Sequence, residues 1–143
     1  MRIDELKSIA RENGVVGAGG AGFPAYAKMT DKADTVILNC VECEPLLKLH
    51  RQLLAAHTEE IIGMLDEVRE AFGAKEAVVG IKSEYVTTIK AVEAVLGKFP
   101  KVRICALKAA LFALFKSPLH TSSNVNLNKL YPPINGIICP FAI

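Results

Sequence analysis

Asp34-Thr35-Val36-Ile37-Leu38-Asn39 is a short apolar run with polar ends, and it predicts a buried strand. Two runs of the same kind follow, Ala77-Val78-Val79-Gly80-Ile81 and Val102-Arg103-Ile104-Cys105-Ala106. Between them the period changes from two to that of a helix. Thr58 is expected as an N-cap, with Glu59 and Glu60 favoured by the positive end of the helix dipole. Ile61, Leu65, Val68 and Phe72 share one face of that helix, and Gly73 ends it. Ser83 is expected to open the next helix, which carries Tyr85, Ile89, Val92 and Leu96 on one face and closes at Gly97. Upstream, Ile3, Leu6, Ile9 and Ala10 form a short helical stripe that Asn13-Gly14 stops. Strands separated by amphipathic helices predict an α/β, Rossmann-like parallel sheet with helices on both faces.

The 143 residues suffice for one domain with a proper core. With 51% hydrophobic and 22% charged residues, the chain is not a disordered tail. A net charge of +2 without Trp argues against a nucleic-acid partner, which would call for a basic patch with interleaved aromatics. The longest apolar stretch, Ile104 to Phe115, is interrupted by Lys108 and is shorter than the roughly 20 residues a bilayer span needs. No direct membrane insertion is expected, and Met1-Arg2-Ile3-Asp4-Glu5 does not start a signal peptide. The expected location is cytoplasmic, with membrane association only through a complex. All 15 acids precede Lys108, and Lys116 and Lys129 are the only charges after it. Residues 1–108 are therefore expected to form the α/β domain, and residues 109–143 a divergent or truncated tail.

Half of the 10 glycines lie in Gly14-Val15-Val16-Gly17-Ala18-Gly19-Gly20-Ala21-Gly22. Such a loop lets backbone approach a ligand, with amides free to meet a phosphate. It lacks the Gly-Lys-Ser or Gly-Lys-Thr of a P-loop, and it follows a helix where the dinucleotide fingerprint follows a strand. On glycine content alone, a plain flexible turn serves as well. Phe23-Pro24 comes next, with Pro24 suited to a first helical turn and Lys28 placed about one turn in, where it could neutralise a phosphate. A second cluster, Asn39-Cys40-Val41-Glu42-Cys43-Glu44-Pro45, begins where the first strand ends. Ligands of open parallel sheets bind beyond the carboxyl ends of strands, although a polar turn closed by Pro45 would read the same.

Cys40 and Cys43 form a lone Cys-x-x-Cys, while Cys105 and Cys139 are isolated. No disulfide framework, zinc site or iron–sulfur cluster is expected from them. His50, His57 and His120 show no metal spacing, and no nucleophile triad is visible.

The run from Gly14 to Lys28 and the run from Asn39 to Pro45 together resemble one family. It is the flavin- and NADH-binding module of the Rnf electron-transport complex, related to the flavin-bearing subunit of complex I and to cobalamin reductases. The shared pattern is Gly-x-Gly-Gly-x-Gly-Phe-Pro followed by Lys, then Asn-x-x-Glu-x-Glu-Pro after a strand. The resemblance covers about residues 4–108. It implies FMN over the glycine loop, with Gly17, Gly19, Gly20 and Gly22 approaching the flavin and its phosphate and Lys28 paired with that phosphate. Asn39 and Glu42 would contact the flavin or its ribityl chain. Phe23 would stack near the nicotinamide-nucleotide site, and Glu44 would help to hold the dinucleotide.

The implied reaction is hydride transfer from NADH to FMN, with electrons leaving singly to iron–sulfur partner subunits. Cys40 and Val41 depart from the common pattern, and Ala18 stands where complex I has Arg. The family's Asn-rich flavin motif, small β domain and cluster cysteines are not recognisable after Lys108. This implies one wall of a site, and little NADH oxidation by this chain alone. An inactive remnant or assembly module that keeps the α/β shell without flavin is the competing reading. A generic phosphate-binding domain is a third.

Overall fold

The computed structural model describes residues 1–17, 21–29, 31, 33–42 and 48–107, and the backbone of residues 136–139. The strands are β1 (Thr35–Cys40), β2 (Glu76–Lys82), β3 (Val102–Leu107) and β4 (Gly136–Cys139). The helices are α1 (Ile3–Glu12), α2 (Leu49–Ala56), α3 (Thr58–Ala71) and α4 (Val86–Leu96), with a 3-10 turn at Ala25–Lys28. All strand pairings are parallel, in the order β3-β2-β1-β4.

The register explains the core. Val36 lies beside Ala77, Leu38 beside Val79 and Cys40 beside Ile81, so all six share one face of the sheet. On β3, Val102 continues the row. These side chains join Leu6 of α1, Leu54 of α2, Ile62, Leu65 and Val68 of α3, Phe72 just after it, and Val92 of α4 in a single buried cluster. Among the described residues, Phe72, Leu54, Ile62 and Leu65 are almost wholly removed from water. Ile37 and Val78, on the opposite face of the sheet, are also buried. The helices expected over that second face are not among the described residues.

All three expected glycine stops stand at helix ends; Gly97 caps α4 with right-handed backbone, and the other two turn left-handed. Gly14 and Gly73 have φ of +63° and +67°, which an L side chain adopts only under strain. Each sits in a Schellman turn. Val15 N–H donates to the Ala10 carbonyl, and Ala74 N–H donates to the Arg69 carbonyl.

Two expected helix starts move. Thr58 is the first residue of α3, and His57 is its cap. The Thr58 hydroxyl donates backward to the Leu54 and Ala55 carbonyls, because a further helix, α2, ends immediately upstream. α4 begins at Val86, three residues after Ser83. The Ser83 N–H is occupied by the Leu107 carbonyl, which extends the sheet pairing past the strand end.

Candidate functional site

The glycine-rich segment is a hairpin mounted on α1. Gly17 N–H donates to the Phe23 carbonyl at 2.9 Å, and Ala25 N–H donates to the Val15 carbonyl at 2.9 Å. Val16 and Pro24 form an isolated antiparallel bridge. The Arg11 guanidinium lies 5.7 Å from the Tyr26 ring centre, which ties the 3-10 turn to the end of α1. Gly22 has φ +66°, so the return of the hairpin depends on a residue without a Cβ. A Cβ there would meet nothing within 4 Å, so the constraint is conformational and not steric. Gly19 and Gly20 lie outside the described residues.

Lys28 closes the 3-10 turn, and its Nζ stands 4.9 Å from the centre of the Phe23 ring. The ring is 49% exposed, so hairpin and turn present an aromatic face and a cation side by side. This brings together Gly17, Gly22, Phe23 and Lys28 among the expected site residues.

The second group stands at the carboxyl end of β1. β1 has β2 on one side and β4 on the other, so the direction of the strand order reverses there. That reversal is where parallel α/β sheets open a crevice for ligands. Asn39 is half-buried, and its Oδ1 accepts the Val41 N–H at 3.0 Å, which turns the chain out of the strand.

Glu42 is 3% exposed. Its Oε1 accepts the His50 N–H at 2.8 Å, in the first turn of α2, where helix amides lack intrahelical partners. Its Oε2 faces the Arg51 Nε at 3.7 Å and has no hydrogen-bond partner among the described residues. Glu44 lies outside the described residues. Among the described residues, no hydrogen bond or ion pair joins the hairpin to Asn39 or Glu42.

Arg51 and Tyr85 were missed by sequence reasoning. The Arg51 guanidinium lies 4.4 Å from the Tyr85 ring centre while its Nε faces Glu42. No local pattern in the sequence reports that Arg51 returns to Glu42, since only Leu54 of α2 is buried.

Cys40 points into the core and is 4% exposed. Burial, with a smaller contribution from the Glu42 charge, pushes its thiol up to about 12, so it stays protonated at neutral pH. A redox dithiol centred on Cys40 is disfavoured for that reason, and Cys43 lies outside the described residues. Among the described residues, no group of three or more His, Cys, Asp or Glu could hold a metal ion. No helix among them is long and apolar enough to cross a membrane.

A parallel sheet whose order reverses at β1, with a buried acid just past that strand's carboxyl end and a glycine hairpin following α1, is the architecture of a nucleotide-cofactor-binding α/β domain. The particular family is shown by the match of residues 10–117 to the Nuo51 FMN-binding domain, and the chain belongs to that family. Its cofactor is FMN. The chain is 40% identical over 91 residues to cobalamin reductase PduS of Citrobacter freundii, covering 64% of this chain and 20% of that protein. It is 35% identical over 101 residues to a component of the ion-translocating oxidoreductase complex of Pseudomonas aeruginosa, covering 68% of this chain and 13% of that protein. The chain thus spans a fifth or less of these curated relatives. An air-oxidised NAD+-reducing NiFe-hydrogenase has the same fold, with a TM-score of 0.61 and 23% identity over 76% of this chain and 21% of that one.

Proposed function

We propose that this chain holds FMN between the residue 15–25 hairpin and the end of β1, as the flavin- and NADH-binding part of an electron-transfer flavoprotein. Bound flavin supplies the step from a two-electron donor to one-electron transfers toward iron–sulfur partners. The observation that carries the reading is the position of Asn39 and Glu42 at the carboxyl end of β1, where the strand order reverses.

The residues fit a flavin mononucleotide. Gly22 gives the hairpin its left-handed return, and the glycine loop, Gly17, Gly19 and Gly20 included, would offer amides to the phosphate. Lys28 would hold the phosphate charge, and Phe23 would give the nicotinamide nucleotide a ring to stack on. The Asn39 side chain and Glu42 Oε2, which has no hydrogen-bond partner among the described residues, would accept hydrogen bonds from the ribityl hydroxyls. Glu44 would hold the dinucleotide. The names of the relatives, a cobalamin reductase and a component of an ion-translocating oxidoreductase complex, support an electron-transfer role.

Anaerobic addition of NADH to the FMN-loaded chain tests the reading. Slow bleaching of the oxidised-flavin absorbance is expected, far below the about 10 per second of an ordinary enzyme, because this chain supplies one wall of the pocket. Flavin that binds tightly and stays oxidised under excess NADH would refute the NADH assignment and leave flavin binding standing.

A further inference from the structure

We infer that Arg51, seated on Tyr85, is the positioning residue that aims the Glu42 carboxylate for the flavin site. The inference rests on the proposed function and names a device that serves it.

Glu42 is the only buried acid among the described residues, and a buried carboxylate needs both hydrogen bonds and a counter-charge. Its two oxygens are treated differently. Oε1 is committed to the His50 N–H at 2.8 Å. Oε2 has charge compensation from Arg51 at 3.7 Å, which is too long for a hydrogen bond. Among the described residues its lone pairs are therefore left for another donor while its charge is balanced. A free glutamate side chain would have no reason to keep that orientation.

Arg51 is itself fixed. Its guanidinium stacks 4.4 Å from the Tyr85 ring centre. Its carbonyl accepts the Thr88 hydroxyl at 3.3 Å, which binds α2 to α4. Lys82, at the end of β2, has its Nζ 5.6 Å from the same ring centre. Glu42 is thus braced through Arg51 against the end of β2 and the start of α4, both outside the sequence motif. A planar guanidinium suits this double duty, since it stacks and faces a carboxylate at once, which an ammonium cannot.

The test uses the purified chain with Arg51→Met, Arg51→Lys, Glu42→Gln and the Arg51→Met/Glu42→Gln double variant. Two quantities are read: FMN affinity by fluorescence titration, and amide hydrogen exchange of His50 in the protein without flavin. In Arg51→Met the carboxylate is released, so the His50 amide should exchange on the order of tenfold faster while Ile62 in α3 is unchanged. FMN should bind on the order of tenfold more weakly, the usual size of coupling between contacting residues. Arg51→Lys should restore part of both. Adding Arg51→Met to Glu42→Gln should weaken FMN no further, because both act through one carboxylate.

Unchanged His50 exchange in Arg51→Met would overturn the inference, as would equal FMN losses in the two backgrounds. A wild-type chain that binds no FMN would instead refute the proposed function, with the His50 measurement still deciding whether Arg51 positions Glu42. Should Arg51→Met fail to fold, Tyr85→Leu removes the platform and leaves the charge pair. It should shift both readouts in the same direction by less, and no shift would overturn the inference.

Discussion

Replacing Gly22 isolates backbone conformation from bulk. Its φ of +66° lies in the left-handed region, and a Cβ built there meets nothing within 4 Å. The cost of Gly22→Ala is therefore the conformational penalty alone, about 1–2 kcal/mol for an L residue. The hairpin is closed by local bonds, Gly17 N–H to the Phe23 carbonyl and Ala25 N–H to the Val15 carbonyl, so the penalty falls on closing it around the ligand. FMN affinity should drop roughly 5- to 30-fold, which is what that energy means as an equilibrium ratio. Gly22→Asn should lose least and Gly22→Val most, because Asn tolerates the left-handed region and a β-branched residue does not. Gly14→Ala is the control, with φ +63° and equally open surroundings at the end of α1. Its penalty should appear as a lower melting temperature with FMN affinity little changed. Fluorescence titration and thermal melts of the four variants give both numbers. Wild-type affinity in Gly22→Val would refute the reasoning.

Ile62→Ala removes a side chain with 0% exposure at the centre of the core and should cost about 2–5 kcal/mol in urea unfolding. Lys28→Ala should weaken FMN by about 1 kcal/mol or less, and the difference from wild type should shrink in high salt, as for a partly exposed charge pair. Cys40 has a thiol raised to about 12 in the folded state, so its contribution is complete below the unfolded thiol range and lost as pH climbs from there towards 12. Denaturation at stepped alkaline pH should show that loss in wild type, and Cys40→Ala should flatten it. Glu76 is held below its ordinary value by its hydrogen bond from Arg103, so the small stability from this exposed pair should be present at neutral pH and vanish on acidification. Arg103→Met should remove that acid dependence at a cost below about 1 kcal/mol.

Much of the fold was legible because the strands are buried on a helix-covered face. Val36, Val79 and Val102 sit in apolar runs that polar residues and glycines delimit, and each run became a strand. α2 was not legible, since His57 alone separates it from α3 and nothing in between breaks a helix. Ile137 and Ile138 of β4 stand in a proline-bearing, acid-free stretch that looked unlike the preceding domain, yet their backbone pairs with Val36 and Ile37. The site was legible as two motifs. Sequence placed Asn39 and Glu42 at a strand end, which is where they are. The burial of Glu42 and its ties to His50 and Arg51 depend on a helix turning back onto the strand end, and no local pattern reports that.

Equilibrium dialysis of the purified chain against FMN, with riboflavin in parallel, bears most directly on the central claim. Saturable binding of one FMN per chain, with riboflavin weaker because Lys28 and the loop amides lose the phosphate, is the predicted result. Absence of saturable FMN binding by a folded chain would contradict it.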